Sequence, residues 1–292
     1  MQTNFQKLHP AVLLAFYILL FSLVFIANHP LELLIIYFAL LTSIIYRNYL
    51  FNEYLLKNKW GLYLLPIFTM IISGLINSLF RHYGLINLFR FSNGNYYTLD
   101  SLINGAVGGF RIGLAVLLLK HMSEVLTTNS LLFLFKGFLP KIALLFTMLL
   151  RFFPRYLNEA KDLNTVNRLG IESKQLNFSQ RWQNRADLIA KLSSWGLESS
   201  IQTAEYMQAR GLGQAKKKTS YRLYSWRQKD SYFSIFLILS SVLYIILRKH
   251  GLLKVIYYPF LYIYEWQSLN LLMLLVLALI SFLPLLIDLR KY

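Results

Sequence analysis

Two arginines stand one or two residues ahead of a glycine, about forty residues apart: Arg168 in Val166-Asn167-Arg168-Leu169-Gly170 and Arg210 in Ala209-Arg210-Gly211. A guanidinium is a planar fork of five donors, suited to carboxylates or carbonyls in the groove of a partner. In the last turn of a helix it also meets the negative end of the macrodipole, which contributes about 0.3–1 kcal/mol without any partner. The pairing with a helix-stopping glycine in one basic region favours docking for Arg210 and leaves docking and the plain helix-end role evenly matched for Arg168. A third arginine, Arg111, lies inside an apolar run. A charge at that depth costs about 2.5–3.5 kcal/mol on insertion scales, so it needs an acidic or carbonyl partner. Asp100 and Glu32 are the acids nearest in expected depth, and a structural ion pair is the expected outcome.

Other chemistries lack their residues. His9, His29, His82, His121 and His250 are scattered without metal-site spacing, and there is no cysteine. No G-x-x-x-x-G-K-[ST] run would hold ATP and no G-x-S-x-G elbow would present a serine. No catalytic residue, metal or cofactor is assigned.

The elements that must position these arginines follow from composition. Of 292 residues 56% are hydrophobic and 15% charged, too apolar for an ordinary soluble domain, and several runs approach the ~20 residues that cross a bilayer. The formal charge of +17 would raise nucleic acid in a soluble protein, but no nucleic-acid partner is expected here. Of the 30 Lys and Arg, 18 fall between Lys120 and Lys229, with 7 of the 13 acids. That pattern suits a cytoplasmic block facing anionic lipid.

Six spans are expected, Ala11–Ala27, Leu31–Tyr46, Gly61–Phe80, Ser101–Leu119, Tyr232–Leu247 and Leu269–Ile287. The first reads as a retained span and not a cleaved leader, because no small-residue cleavage site follows it. Lys57, Lys59 and Arg290-Lys291 put both termini inside, while Arg248, Lys249 and Lys254 oppose that topology. The aromatic segment Leu252–Tyr264 suits the outer interface. The chain divides into a four-span part (1–122), a helical cytoplasmic insertion (123–229) and a two-span part (230–292). The fold class is thus an all-α integral membrane protein of about six transmembrane helices.

Three helices are expected in the insertion. An interfacial one covers Ser130–Arg155 and should break or kink at Pro154. A second runs from Tyr156 to Arg168, and a third from Gln180 to Arg210 with Leu188, Leu192, Trp195, Ser199, Thr203 and Tyr206 on one face. Ser193, Ser194, Gly196, Ser199 and Ser200 allow close helix approach. Gly105, Gly109 and Gly113, spaced by four beside Gly108, make a flat face on the fourth span. That face suits internal helix packing or a surface for a binding subunit.

Several stretches together carry a family likeness. They are Asn77-Ser78-Leu79-Phe80-Arg81-His82-Tyr83-Gly84, Thr98-Leu99-Asp100-Ser101-Leu102-Ile103-Asn104-Gly105, Thr127-Thr128, Leu150-Arg151-Phe152-Phe153-Pro154 and Glu205-Tyr206-Met207-Gln208-Ala209-Arg210-Gly211. Over nearly its whole length the chain resembles the transmembrane T component of energy-coupling factor transporters, of the cobalt-transport permease type. The resemblance implies two coupling motifs on cytoplasmic helices, each docking on one of two ABC-type ATPase subunits. Ala209, Arg210 and Gly211 match the second motif, Ala-Arg-Gly. Arg168 stands where the first is expected, with Asn167 and Leu169 replacing its usual small neighbours. Arg151 and Pro154 belong to the supporting helix. The further partners implied are a membrane-embedded substrate-binding S subunit and the bilayer of a prokaryotic cell membrane. The cargo would be a vitamin or transition-metal ion. The resulting expectation is a force-transmitting subunit and not an enzyme. The rival is a membrane-embedded enzyme on a lipid-linked substrate, with Arg111, Arg151 and Arg155 gripping phosphate.

Overall fold

The computed structural model describes residues 3–50, 60–81, 84, 86–90, 96–170, 178–211, 224–257, 261–263 and 268–289. Lys57, Lys59, the run Lys216-Lys217-Lys218 and Arg290-Lys291 lie outside them. Ten helices follow in order among the described residues. They are α1 (Pro10–Ile26), α2 (Pro30–Leu50), α3 (Trp60–Tyr63), α4 (Leu65–Phe80), α5 (Leu99–Val125), α6 (Thr128–Phe138), α7 (Pro140–Gly170), α8 (Phe178–Ala209), α9 (Gln228–Lys249) and α10 (Ser268–Leu289). Two small antiparallel hairpins complete the fold, β1 (Asn87–Arg90) with β2 (Tyr96–Thr98) before α5, and β3 (Val255–Ile256) with β4 (Tyr262–Ile263) before α10.

The fold is all-α and membrane-embedded. Helices α2, α5, α9 and α10 are long and apolar enough to cross a membrane, whereas α1 and α4 are apolar but shorter, at 17 and 16 residues. The third expected span is not continuous. The chain breaks at Leu64, and Pro66 sits in the first turn of α4, where its missing N–H does no harm, whereas inside one long helix its ring would meet the preceding turn.

The chain folds as two compact units, Met1–Leu131 with Tyr224–Tyr292, and Leu132–Leu223. The first is a helix bundle in which α5 packs on α4, α2 and α1, and α10 packs on α2 and α9. Helix α1 is apolar on all sides and buries one of them, while Ile18 and Phe25 stay exposed on the other. On the buried side Phe16, Leu20 and Val24 are inaccessible, packed with Ile36, Leu114, Tyr244 and Met273.

Polar groups gather at both ends of this bundle. At one end the carbonyls that close α1 collect cations, as a helix C-terminus favours. Arg111 donates to the Ala27 carbonyl at 2.7 Å and to Asn28 Oδ1 at 3.4 Å, and Arg248 donates to the Ile26 carbonyl at 2.9 Å. Arg248 also forks onto both oxygens of Glu32, at 3.0 and 3.1 Å, with the Tyr244 hydroxyl donating to the same carboxylate at 3.1 Å. Arg111 therefore meets the Ala27 carbonyl and Asn28 through one nitrogen in place of the expected ion pair, and Glu32 goes to Arg248. That pairing also neutralises the cation at 248 that opposed the expected topology. At the other end Arg47 pairs with Glu124, Lys120 Nζ lies 3.3 Å from the same carboxylate, and Tyr17 meets His121 Nδ1 at 3.0 Å. Fifteen residues of α2 separate Glu32 from Arg47, or ~22 Å of apolar helix.

Two of the scattered histidines cap helices. In both His9-Pro10 and His29-Pro30 the imidazole Nδ1 accepts the backbone N–H two residues on, at 3.2 Å from Ala11 and 3.2 Å from Leu31. Proline occupies the first helical position in each case. Asp230 and Glu32 return the bond at two starts. Asp230 accepts the Arg227 N–H at 2.8 Å and the His9 N–H at 3.0 Å, and Glu32 accepts the His29 N–H at 3.2 Å.

The Leu132–Leu223 unit departs from expectation. Helix α7 runs unbroken through Pro154, and the break falls instead at Leu139, ahead of Pro140. A residue before proline is pushed out of the helical region, and Pro140 can then start a helix. At Pro154 the one missing N–H falls at an exposed position, and Phe152 and Tyr156 on either side line a shared surface with α8. The expected second helix, Tyr156–Arg168, is therefore the continuation of α7.

An imidazole caps through Nδ1 only while it is neutral. Burial holds His9 and His29 below the usual imidazole range, aided at His29 by Arg248 and opposed at His9 by Asp230. The unfolded chain then binds protons first, so this stability is present above about pH 6.5 and is lost as pH falls below it. His9→Asn with His29→Asn, which caps without titrating, should flatten the acid loss of about 1 kcal/mol per cap. Thermal unfolding of the detergent-solubilised protein at pH 7.5 and about pH 5.5 measures this.

Candidate functional site

The two motif arginines occupy the C-terminal ends of α7 and α8. Helix α8 ends at Ala209, and Arg210 and Gly211 make the closing turn. The Arg210 N–H reaches the Tyr206 carbonyl at 3.1 Å and the Gly211 N–H the Gln208 carbonyl at 2.9 Å. Gly211 has φ 81°, the left-handed conformation in which a Cβ would be strained. The glycine thus terminates α8 one residue beyond Arg210 and leaves the guanidinium exposed. Among the described residues no carboxylate pairs with it. Arg168 lies in the last turn of α7, which ends at Gly170.

Tyr156 and Gly196 bring these helices together. The Tyr156 hydroxyl donates to the Leu192 carbonyl at 3.2 Å, and its ring stands edge-on to Trp195 at 5.2 Å. Arg155 lies over the Trp195 face at 5.3 Å, a cation–π contact. Gly196 is buried, and a Cβ there would fall on the Tyr156 hydroxyl and 2.6 Å from its Cζ. A cleft of about 430 Å³ opens beside this contact, lined by Phe152, Phe153 and Leu157 on α7 and Ser199 on α8.

Leu188, Leu192, Trp195, Ser199 and Thr203 form a half-buried stripe on α8, but Tyr206 is 69% exposed and Met207 takes the next half-buried position. Five turns of ~3.6 residues lead from Leu188 to Tyr206, so the shift to Met207 means that the line of burial runs obliquely across the face of α8, as it does where helices cross at an angle. Arg151 and Pro154 are both exposed on α7. The exposed Leu145, Phe146, Leu149 and Leu150 precede them, an apolar stretch in the first half of α7.

Helix α4 occupies the glycine face of α5. A Cβ at Gly105 would lie 2.7 Å from the Ser73 carbonyl oxygen, one at Gly109 3.0 Å from the Thr69 carbonyl carbon, and one at Gly113 3.1 Å from the Pro66 nitrogen. Gly74 answers from α4, with a Cβ position 3.3 Å from that of Ala106. The face is an internal helix contact and is not open to a separate subunit. Sequence pattern marks Gly196 only as one of several small residues and does not single out Tyr156. The adjacent Trp195-Gly196 pair in a polar helix is the signal that could have found them.

Comparison with known proteins agrees with this architecture. The cobalt transport protein family CbiQ matches residues 2–221. The energy-coupling factor transporter transmembrane protein EcfT of Staphylococcus aureus (strain 04-02981) is 23% identical over 261 residues, covering 84% of this chain and 93% of that protein. The protein of the same name from Lactobacillus helveticus (strain DPC 4571) is 25% identical over 263 residues, covering 84% and 90%.

The glycine face supplies a matched pair of tests one residue apart. Gly108 faces open space, so Gly108→Ala should leave stability unchanged or raise it by up to ~1 kcal/mol. Gly109→Ala drives a methyl into the α4 backbone and should destabilise by roughly 1–3 kcal/mol. Unfolding midpoints of the two variants in the same detergent compare them directly.

Proposed function

The chain belongs to the CbiQ family of cobalt transport proteins, and on that premise we propose that it is the transmembrane coupling subunit of an energy-coupling factor importer. In this reading it serves uptake of a vitamin or transition-metal ion. Two ABC-type ATPase subunits hydrolyse ATP and a separate membrane-embedded S subunit binds the cargo. The observation that carries the reading is the closing turn of α8. There Gly211 ends the helix and leaves Arg210 exposed without an acidic partner among the described residues, within a match to the family's Ala-Arg-Gly motif.

The physical logic is one of differential contact. A conformational change follows nucleotide only if some contact is stronger in one nucleotide state than in the other. The end of α7, with Arg168, and the end of α8, with Arg210, each dock in one ATPase. When ATP draws the two ATPases together, both helix ends are carried with them. An arginine suits this role because its fork can form bidentate bonds to carboxylates or carbonyls on the ATPase surface. The exposed Leu145, Phe146 and Leu149 of α7 provide an apolar surface on which the S subunit is held and reoriented. Contiguous exposed apolar surface of this kind marks an interaction site. The insertion and both termini face the cytoplasm in this reading.

Charge reversal tests the claim. With Arg168→Glu and Arg210→Glu together, the ATPase subunits should no longer co-purify and uptake should fall to background, while the chain still inserts in the membrane. Single changes should be milder, with Arg210→Glu the worse. Retention of the ATPases and of uptake by the double variant would refute the assignment.

A further inference from the structure

We propose that Tyr156 seated on Gly196 is the pivot about which α7 and α8 turn when the ATPases move. The inference rests on the coupling function proposed above, and it assigns a positioning role to two residues outside both arginine motifs.

The argument is one of concentrated contact. A hydrogen bond, an edge-on ring contact and a cation–π contact join the helices between Arg155 and Tyr156 on one side and Leu192, Trp195 and Gly196 on the other. The phenol occupies the space a side chain at position 196 would need. Helices joined by interlocking ridges and grooves along their length resist rotation. These two meet at a ring lodged in a notch, with a cleft of about 430 Å³ alongside. The lining side chains Phe152, Phe153 and Leu157 have room to swing there without breaking the central contact.

The arms on either side are nearly equal. Arg168 lies twelve residues beyond Tyr156 and Arg210 fourteen beyond Gly196, which at 1.5 Å per residue is ~18 and ~21 Å. Opening or closing at the two arginine-bearing ends is then returned as rotation at the notch and as movement of the opposite arms. One of those arms is the apolar first half of α7. Without a fixed contact at the notch the ends would move while the opposite arms stayed where they were. The hydroxyl end of the ring fills the notch and donates to the Leu192 carbonyl, so ring and hydroxyl both carry the contact.

The chain has no cysteine, so two can be added cleanly. Asn164→Cys on α7 and Glu205→Cys on α8, both at exposed positions, carry spin labels in the assembled transporter with its ATPases. The label separation is then measured with and without Mg·ATP. We expect a nucleotide-dependent change in the parent chain and a change at least twofold smaller in Tyr156→Ala, with the ATPases still bound. Tyr156→Phe, which keeps the ring but takes the hydroxyl out of the notch, should fall between the parent and Tyr156→Ala. A Tyr156→Ala complex that moves as far as the parent overturns the pivot while leaving the coupling function intact. A parent that binds its ATPases yet shows no change overturns the coupling function itself, and the pivot falls with it. Should Tyr156→Ala fail to assemble, Gly196→Ala decides, since it leaves every aromatic ring in place and forces the phenol out of the notch. Parent-like movement in that variant overturns the proposal.

Discussion

A carboxylate that water cannot reach organises one end of this bundle. Glu32 is inaccessible, and a charge so placed stays only where other groups surround it. Arg248 and Tyr244 from α9 supply two of these, and the N–H of His29 a third. Because Arg248 also holds the last carbonyl of α1, and Arg111 of α5 holds the next, one cluster ties together α1, α2, α5 and α9 and the turn between α1 and α2. Tyr257, ahead of the β4 strand, closes it by donating to the Asn28 carbonyl at 2.7 Å. Removing Arg248 would leave the buried Glu32 carboxylate without its cation.

The two units are held in different ways. The bundle has a continuous apolar core, polar clusters at both ends and a glycine-to-backbone contact between α4 and α5. Among the described residues the pair α7 and α8 shows the Tyr156–Gly196 notch, a half-buried stripe on α8, long exposed faces and a cleft. The coupling function proposed above draws on that contrast. A stiff part gives a reference against which something can move, and a sparsely joined part can move at small cost in broken contacts.

The helices and the polar block are legible in the sequence because both depend on local pattern. The six expected spans fall on helices, four of them long and apolar enough to cross a membrane and the third broken at Leu64, since a long apolar run in a bilayer has few alternatives to a helix. The end of α8 is likewise readable from Gly211. What local pattern does not carry depends on partners distant in sequence. Arg111 requires a partner, but only the assembled bundle puts Ala27 within reach and sends Glu32 to Arg248. Pro154 marks a break by local rule, and contacts with α8 on either side of it keep α7 continuous. Tyr156 is one aromatic among 42 Phe and Tyr residues until Gly196 is placed beneath it.

Helix α4 leans chiefly on α5. Its far side, Ile67, Phe68, Ile71, Ile72, Leu75, Ile76, Leu79 and Phe80, is exposed. One flank answers to backbone atoms a few ångströms away, while the other meets no such wall among the described residues. Over evolutionary time the two flanks should therefore drift at different rates. Gly74 and the small residues around it are pinned by sterics, while isoleucine, leucine and phenylalanine interchange freely on the outer side.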